Sequence, residues 1–500
     1  MTREDRIRNI VLAIIFAISA FLVILNGSYI ITGMYIITVL VATFIGRDKD
    51  VYNLLYMVLL VSAFYDYALY VPGIQSIYMF HIVLGVFTLM SLYKVFKDKN
   101  ILMNLDRKVL AIYVIWFIYM CVSVTWALNK NLSIKYIAIY LMMFAFIVDM
   151  MIYNVNKERI EKTVNLLLFL ISMVIIIGLI EVLLGQQLPI RHYIDGFKDS
   201  LPQWQINTIQ ARPIAFSYNT NNLTATLAII GPICLFAIYK FENILAKIWF
   251  TVVSCIGFSL VIMTTSRTGF FAFLFGVVIF IIYSIFNIKG LGIKQMIFPV
   301  VLICGFVLAF NYSTLLMNIK PVSDDNNKQL ETSLSGKLHS LEGFTDGEVN
   351  AEGSTLHRME IIRNVLNGVI KEKQYQGYGV GNVEQLIKDK GNTGSVYSPH
   401  CYPIEILGDF GLPGIALYGI YYLYLLIGNL IIGIKKKSIM CFAAVAGLIA
   451  FAPASFGPSS ITYVFSYWIL MGFAVSCIQV YKQENNKYGN IYSRKEYTML

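Results

Sequence analysis

Long runs of apolar residues alternate with short polar loops along most of the chain. About fourteen runs are long enough to cross the roughly 30 Å hydrocarbon layer of a bilayer. They begin near Asn9, Tyr29, Val51, Ile74, Lys108, Leu132, Thr163, Asn222, Lys247, Gly269, Gln295, Tyr402, Ile439 and Ile461. The pattern predicts an all-α polytopic membrane protein with about 12–14 transmembrane helices.

The composition is that of a membrane protein. Of the 500 residues, 57% are hydrophobic and 14% are charged, and the mean hydropathy is +0.67, which is far outside the range of soluble domains. A net charge of +10 is also typical of nucleic-acid-binding proteins, but here Lys and Arg lie in short loops between apolar runs. We therefore expect no nucleic-acid partner. The seven cysteines form no disulfide framework or metal-ligand spacing.

Basic residues are concentrated in alternate loops, on the side that also carries both ends of the chain. Examples are the loop at residues 94–108, the cluster at 435–437 and the tail from 482 onwards. Because cytoplasmic loops are enriched in Lys and Arg, we predict that the N-terminus and the C-terminus are both cytoplasmic.

Two outer segments are too long to be simple connectors, and such loops are usually functional or disordered. They cover residues 185–221 and 311–401. Residues 322–354 are rich in polar residues, which predicts a flexible stretch. The positions that follow have helical spacing and predict an amphipathic helix that carries Arg358. Its apolar stripe is Leu356, Met359, Ile362, Leu366 and Val369.

These patterns divide the chain into five parts. Residues 1–205 form N-terminal transmembrane helices, 206–312 central helices with Arg212 and Arg267, 313–401 a large extracytoplasmic loop, 402–482 C-terminal helices and 483–500 a cytoplasmic tail.

Three arginines are candidates for contacts with an anionic substrate. Arg267 lies in a polar hinge of a few residues between two spans, Arg212 follows the first outer segment, and Arg358 lies on the amphipathic helix. Arginine offers a planar fork of donors that pairs with two phosphate oxygens at once. The alternative for each is a contact with lipid headgroups.

Gly377, Gly379 and Gly381 lie in a glycine-rich loop before a short helical pattern. Closely spaced glycines let backbone N–H groups approach an anion at a helix start. The alternative is a tight turn that binds no ligand. No strand precedes the loop, so it is not a nucleotide-binding fingerprint.

His400 lies at the junction between the long outer segment and the next apolar run. Glu405 and Asp409 follow it, four residues apart and therefore on one helix face. A neutral imidazole at this place could accept a proton from a hydroxyl group, with a carboxylate to orient it. The alternative is a histidine that only caps a transmembrane helix. No serine lies in a nucleophile-elbow context, and no metal-ligand pattern is present.

Four elements, in order along the chain, resemble the O-antigen ligase and O-antigen polymerase family. The segment from Pro399 to Gly414 is similar to the family's pattern of His-Asn, Leu-Glu, acidic-x-Gly and Gly. The other three are Arg212 with Phe216, Asn219, Asn221 and Asn222, then Ser266-Arg267, and then the Arg358 helix with the glycine-rich loop. The resemblance covers roughly residues 205–430, and Cys401 stands where the family usually has Asn.

The resemblance implies a GT-C-like glycosyltransferase architecture in the bacterial cytoplasmic membrane. It also implies metal-independent transfer, without a cofactor, of glycan from an undecaprenyl diphosphate carrier at the outer face. In such a reaction His400 would be the base, and Arg212 and Arg267 would stabilise the diphosphate leaving group. Arg358 would hold the second lipid-linked substrate or the same diphosphate. The residues predicted to bind substrate are Gly377, Gly379, Gly381, Glu405 and Asp409. The expected partners are the lipid-linked glycan, membrane lipids, a flippase and a chain-length regulator.

Three functions fit these features. The first is a polymerase that joins lipid-linked repeat units, as in capsule synthesis. The second is a ligase that passes a finished glycan to a different acceptor, and the third is a lipid-linked glycan flippase or other transporter. The polymerase is favoured over the ligase because high contents of Ile, Lys, Asn and Tyr are typical of a low-GC bacterium, which has no lipopolysaccharide core. The long outer segment ending in His400 counts against a transporter.

Overall fold

The computed structural model describes residues 3–26, 28–46, 50–71, 77–196, 198–317, 353–394 and 396–496. The stretch predicted to be flexible, residues 322–354, lies outside the described residues apart from its last two positions, which begin a helix.

Helices make up nearly all of the described chain. Those of eight or more residues are α1 (Arg3–Asn26), α2 (Tyr29–Gly46), α3 (Val51–Tyr65), α4 (Met79–Lys97), α5 (Arg107–Ser123), α6 (Lys130–Tyr153), α7 (Lys157–Leu184), α8 (Gln203–Gln210), α9 (Thr220–Lys240), α10 (Ile244–Met263), α11 (Arg267–Phe286), α12 (Ile297–Tyr312), α13 (Gly353–Leu366), α14 (Val383–Lys390), α15 (Tyr402–Lys436), α16 (Ile439–Ala454) and α17 (Phe465–Glu496). Shorter helical turns lie at Asp66–Leu69, Asn100–Met103, Tyr193–Gly196, Lys198–Ser200, Ile288–Leu291, Ile293–Met296, Ser313–Leu316, Asn367–Lys371 and Ile461–Tyr463. Within the described ranges, β-type pairing is limited to an isolated antiparallel bridge between Tyr70 and Tyr78.

Nine helical stretches of the described chain are long and apolar enough to cross a membrane. They are α2, α4, α6, α7, α9, α10, α11, α15 and the stretch Ile293–Leu316 around α12. The predicted all-α polytopic membrane fold is therefore confirmed. These nine candidate spans are fewer than the predicted 12–14 partly because three further helices are short. Helices α3, α5 and α16 have 15, 17 and 16 residues. At about 1.5 Å per residue their lengths are below the hydrocarbon thickness. The GT-C-like architecture stays a prediction.

Helix α9 lies at the centre of the bundle. Its apolar window is 94% buried, compared with 28% for α15, and it packs on α10, α11 and α16. The start of α9 meets the turn between α10 and α11, where the Thr224 hydroxyl donates a 2.8 Å hydrogen bond to the Thr264 hydroxyl. The N-termini of α9 and α11 therefore lie at the same end of the bundle.

Helix α15 is broken near its start, at Gly411. This residue has φ +65° and ψ −155°, a conformation that is open essentially to glycine alone. Pro413 has no N–H to donate, and the N–H of Leu412 donates outside the helix. The carbonyls of Gly408 and Asp409 therefore lack the helical donors that would normally lie four residues further on.

The glycine-rich loop, residues 377–382, fills this break. The N–H groups of Tyr378 and Gly379 donate to the carbonyls of Gly408 and Asp409 at 2.8 and 3.0 Å. The segment before α15 is thus held on this helix by backbone hydrogen bonds, and these bonds satisfy carbonyls that would be costly to leave unpaired in a buried setting.

The predicted amphipathic helix is confirmed as α13, but part of its predicted apolar face is wrong. Ile361, Val365 and the nearby Val369 are buried in a small core that α13 shares with α14 and α15. Met359 and Leu366, which belong to the predicted stripe, are 51% and 37% exposed. Apolar residues occur on more than one side of this helix, so its contacts with α14 and α15 decide which side is buried.

Replacing Gly411 with Ala should destabilise the protein. A Cβ at this position would lie 1.9 Å from the Tyr375 carbonyl oxygen, and the backbone conformation is itself unfavourable for Ala. We expect a loss of about 2–4 kcal/mol, seen as a lower midpoint when the detergent-solubilised protein is heated and its folded fraction is measured by gel filtration.

The matched control is Gly419→Ala in the same helix. A Cβ there meets no atom within 4 Å, so its midpoint should equal or exceed that of the wild type. Equal midpoints for the two variants would contradict the docking of the loop in the helix break.

Candidate active site

His400 lies one residue before the N-cap of α15, in an unusual backbone conformation. Its φ is +45°, a value that is rare for residues other than glycine and that is often found at functional sites. The N-cap residue Cys401 makes no side-chain capping hydrogen bond. Instead, the N–H of Tyr402 donates to the carbonyl of Ser455 at 3.3 Å. A loop that follows α16, residues 455–460, therefore supports the start of α15.

A backbone carbonyl of this 455–460 loop orients the imidazole of His400. The ring Nδ1 lies 3.0 Å from the Gly457 carbonyl oxygen. A carbonyl oxygen only accepts hydrogen bonds, so Nδ1 carries the proton and Nε2 of the neutral ring keeps its lone pair. Burial, and next the positive charge of Arg358, lower the pKa of His400 to about 4. At neutral pH the ring is therefore an uncharged base.

The turn that carries Arg267 contacts the 455–460 loop near Gly457, whose carbonyl binds His400. Arg267 is the first residue of α11 and is half-buried. Ser266 caps the helix by accepting from the N–H of Gly269 at 3.4 Å. A Cβ built on Gly457 would lie 3.2 Å from Thr268 Oγ1. The turn and the 455–460 loop are therefore in contact.

The element that carries Arg212 is held by buried side chains of the segment before it. Gln187 Nε2 donates to the Arg212 carbonyl at 2.9 Å. The carboxylate of Glu181, which is 2% exposed, accepts three backbone N–H groups at 2.6–2.8 Å, those of Leu188, Ile214 and Ala215. The backbone around Arg212 is thus fixed on both sides.

The same element leads into α9 and reaches the 455–460 loop. Asn219 is the N-cap of α9 and accepts from the N–H of Asn222 at 2.9 Å. A Cβ on Gly457 would lie 3.9 Å from the Cβ of Asn221. The 455–460 loop is therefore surrounded by the N-termini of α9, α11 and α15, which carry partial positive charge and favour anions.

The structure thus brings together four predicted elements at one end of the bundle. The His400 segment and the Arg267 turn both contact the 455–460 loop, and the Arg212 element ends there. Arg358 on α13 is close enough for its charge to act on His400. The assignment of catalytic roles to these residues stays a prediction.

Glu405 and Asp409 are buried and have partners within the protein. Their exposed fractions are 6% and 1%. Glu405 Oε1 accepts from the Ser460 hydroxyl at 2.6 Å. The Asp409 carboxylate accepts from the N–H groups of Gly381 and Val383 at 2.7 and 3.0 Å. That these two residues bind substrate stays a prediction.

The carboxylate that we expected to orient His400 is replaced by the Gly457 carbonyl. Glu405 lies one turn into α15 and is bonded to Ser460, and Asp409 lies a further turn along and faces the glycine-rich loop. Sequence spacing placed both carboxylates on one helix face but could not show that this face is buried.

The glycines of the loop have a packing role. The N–H groups of Gly377, Gly379 and Gly381 all donate to acceptors within the protein. The space around them is also tight, because a Cβ on Gly381 would lie 2.3 Å from the ring of Tyr136. Substrate binding by these glycines stays a prediction.

The 455–460 loop is the part of the site that sequence reasoning missed. Its carbonyls accept from His400 and Ser398, and the hydroxyl of Ser460 donates to Glu405. Its sequence is Ser-Phe-Gly-Pro-Ser-Ser, a polar stretch with turn residues between two apolar runs. That signal marks a loop, but its pairing with a histidine 57 residues earlier is not encoded locally.

Among the residues that the structure describes, no group of three or more His, Cys, Asp or Glu side chains could hold a metal ion. The metal-independent mechanism stays a prediction. The geometry itself places a neutral base, three helix N-termini and the elements that carry Arg212 and Arg267 at one end of a membrane-embedded bundle, an arrangement suited to deprotonating a hydroxyl beside an anionic substrate.

These features define a class, a polytopic α-helical membrane protein in which a buried histidine and two arginine-bearing elements meet at one end of the bundle. Residues 252–419 match the family model described as O-antigen ligase, which confirms the resemblance to the O-antigen ligase and polymerase family in that part of the chain. Members of this family are glycosyltransferase-like ligases and polymerases. The match is narrower than residues 205–430, and both Arg212 and the 455–460 loop lie outside it. A search of curated proteins found no match.

Replacing Asp409 with Asn should loosen the glycine-rich loop. An amide has one acceptor oxygen, so one of the two bonds to the N–H groups of Gly381 and Val383 is lost. We expect roughly ten- to hundredfold faster hydrogen exchange in residues 377–383, measured by mass spectrometry of the detergent-solubilised protein.

The control is Glu372→Gln, which removes an exposed carboxylate near the same loop. Glu372 is paired with Lys390 at 2.9 Å and is 53% exposed, so its loss should leave exchange unchanged. Unchanged exchange in Asp409→Asn would show that the carboxylate does not hold the loop.

Proposed function

We propose that this protein is a polysaccharide polymerase of the bacterial cell envelope. It transfers a glycan from an undecaprenyl diphosphate carrier to a second lipid-linked glycan at the outer face of the cytoplasmic membrane. The observation that carries the proposal is the neutral His400, held by the Gly457 carbonyl among the arginine-bearing elements. The family match supports a transferase of the ligase or polymerase type. The distribution of Lys and Arg supports an outer location for this end of the bundle.

In the proposed reaction His400 is the general base. Its Nε2 takes the proton of an acceptor-sugar hydroxyl while the hydroxyl oxygen forms a bond to the anomeric carbon of the donor. The bond between that carbon and the diphosphate oxygen breaks, and the electron pair leaves with the diphosphate. The imidazolium then returns its proton to water. No nucleotide is required, because the donor already carries its leaving group.

The arginines stabilise the leaving group. Arg267 at the start of α11 and Arg212 before α9 are near the N-termini of two helices, so guanidinium charge and helix dipoles act on the same diphosphate. Arg358 holds the second lipid-linked substrate or the same diphosphate, and its charge also keeps His400 unprotonated. We assign Asp409, Glu405 and the loop glycines a positioning role, because their polar groups are engaged within the protein.

An apolar cavity supports a lipid-linked donor. It has a volume of about 470 Å³ and lies between α7 and the start of α10, with Leu168, Phe169 and Trp249 in its lining. The cavity runs up α7 to Ile177, and a Cβ on the next residue, Gly178, would lie 3.6 Å from Pro213, which follows Arg212. In the proposal, the prenyl chain of the donor occupies this cavity while its headgroup lies near Arg212.

The function is tested by supplying the purified protein with a single lipid-linked repeat unit and resolving the products on a gel. A ladder of lengths supports the polymerase. Transfer that occurs only when a different acceptor is added makes the protein a ligase, which uses the same site chemistry. No transfer under either condition overturns the transferase proposal, and a flux assay in liposomes then tests a flippase.

Replacing His400 with Ala should abolish the ladder because the hydroxyl loses its base. We expect a reduction of at least about 10²-fold in transfer, while the binding of undecaprenyl diphosphate is unchanged. The matched control is His357→Gln, which alters another outer histidine of the chain and should retain transfer. An unchanged ladder in His400→Ala removes this residue from the mechanism.

The pH dependence of transfer should follow the lowered pKa of His400. Protonation of the imidazole removes the base, so kcat/KM should stay level as the pH falls from 8 and should decline only as it approaches about 4. The variant Arg358→Gln lacks the positive charge that lowers the pKa of His400. The pKa of His400 should therefore be higher in this variant, and its remaining activity should decline at a higher pH than that of the wild type. A wild-type decline centred near the ordinary histidine value, about 6.5, would contradict this environment for His400.

A further inference from the structure

A cluster of tyrosines with one arginine lies on the outer side of the bundle, beside the candidate active site. Tyr193 is 52% exposed, Tyr70 and Tyr218 are half-exposed, and Arg191 is exposed. The rings of Tyr193 and Tyr218 meet edge to face with their centroids 6.0 Å apart. The guanidinium of Arg191 lies 5.8 Å from the centroid of the Tyr70 ring. We name these four residues the aromatic rim.

The rim is a connected surface. Arg191, which contacts Tyr70, lies two residues before Tyr193. Burial raises the pKa of the Tyr218 hydroxyl, and the charge of Arg191 opposes that rise. The N–H of Tyr193 donates to the carbonyl of Tyr218 at 3.1 Å. Three aromatic rings and a guanidinium thus share one face.

The rim is fixed onto the element that carries Arg212. Ahead of Arg191, the N–H of Leu188 donates to the Glu181 carboxylate, which also accepts from Ala215, three residues before Tyr218. His192, between Arg191 and Tyr193, bonds through Nε2 to the carbonyl of Leu188 at 2.7 Å. A surface held by several hydrogen bonds in this way loses little conformational freedom when it binds a ligand.

The rim adjoins the reacting centre. Tyr218 directly precedes Asn219, the N-cap of α9, and Asn221 lies against Gly457, the partner of His400. The part of a substrate bound here is therefore the part next to the diphosphate. In a lipid-linked glycan, that part is the first sugars of the chain.

The chemistry of the rim suits sugar rings. A pyranose presents a face of C–H groups that packs on the electron-rich face of a tyrosine ring, while its hydroxyls bond to a polar group such as the guanidinium of Arg191. Exposed tyrosines also occur at membrane interfaces, where they contact lipid headgroups. Tyr312, which is 59% exposed and lies near the end of the candidate span Ile293–Leu316, has a position suited to that second kind of contact. The rim differs because Arg191, Tyr193 and Tyr218 lie on the folded segment between α7 and α9, and Tyr70, which contacts Arg191, lies in the connection between α3 and α4.

We propose that the aromatic rim of Tyr70, Arg191, Tyr193 and Tyr218 is a carbohydrate-binding subsite that takes the sugars adjoining the diphosphate of the lipid-linked glycan. This inference rests on the proposed function for its substrate class. If the rim binds these sugars, it helps to determine which glycans the protein accepts.

The test compares the binding of two carriers to the full-length purified protein. One is bare undecaprenyl diphosphate, and the other is the lipid-linked glycan extracted from membranes of the source bacterium. Wild type should bind the glycan-bearing carrier more tightly. Tyr193→Ala should weaken that binding roughly three- to tenfold and leave the binding of the bare carrier unchanged.

Two further variants control for loss of structure and for lipid contacts. Tyr193→Phe keeps the ring face and should bind the glycan-bearing carrier within about twofold of wild type. Tyr312→Ala should change neither affinity. If Tyr193→Ala weakens both carriers equally, the tyrosine contacts the lipid or its headgroup and the subsite is overturned. An unchanged affinity for the glycan-bearing carrier in Tyr193→Ala also overturns it.

The transfer assay separates failure of this inference from failure of the proposed function. Transfer by the wild type with unchanged KM in Tyr193→Ala overturns the subsite and leaves the transferase intact. A wild type that prefers the glycan-bearing carrier, and loses this preference in Tyr193→Ala, supports the subsite even when no transfer occurs. In that case the transferase proposal is the one that fails.

Discussion

The break in α15 and the glycine-rich loop that fills it are the contact on which the site end of the bundle depends. Gly411 and Pro413 leave the carbonyls of Gly408 and Asp409 without helical donors, and the loop supplies the N–H groups that they need. The Asp409 carboxylate adds two hydrogen bonds to this contact, because it accepts from the N–H groups of Gly381 and Val383 at the C-terminal end of the loop. Because buried polar groups are costly to leave unpaired, the helix break and the loop stabilise each other, and they fix the direction in which α15 starts.

The start of α15 positions His400, whose chemistry depends on contacts distant in sequence. The imidazole must be neutral and must present Nε2, and these two conditions come from different parts of the chain. Burial and the charge of Arg358 disfavour protonation, while the Gly457 carbonyl selects the tautomer. The 455–460 loop also contacts the turn after Arg267 and the start of α9. One short loop therefore sets the position of the base relative to the elements that carry the arginines.

The buried carboxylate of Glu181 holds the Arg212 element, as the 455–460 loop holds His400. Glu181 accepts three backbone N–H groups and so joins the segment before Arg191 to the segment around Arg212. A carboxylate satisfied in this way orders a loop without needing a charged partner. Arg212, proposed to bind the diphosphate, and Arg191, Tyr193 and Tyr218, proposed to bind the sugars, thereby lie on two segments that one carboxylate joins.

The sequence by itself determined the all-α membrane fold, the positions of the apolar helices, the α13 and α14 helices and the family resemblance, because apolar runs, helical spacing and short motifs are local signals. The tertiary structure decided which face of α13 is buried, that Glu405 and Asp409 point into the protein, and that Gly457 is the partner of His400. Each of these depends on contacts between residues far apart in the chain. A local pattern places a side chain on a face of a helix, but only the packing of that helix decides what the face meets.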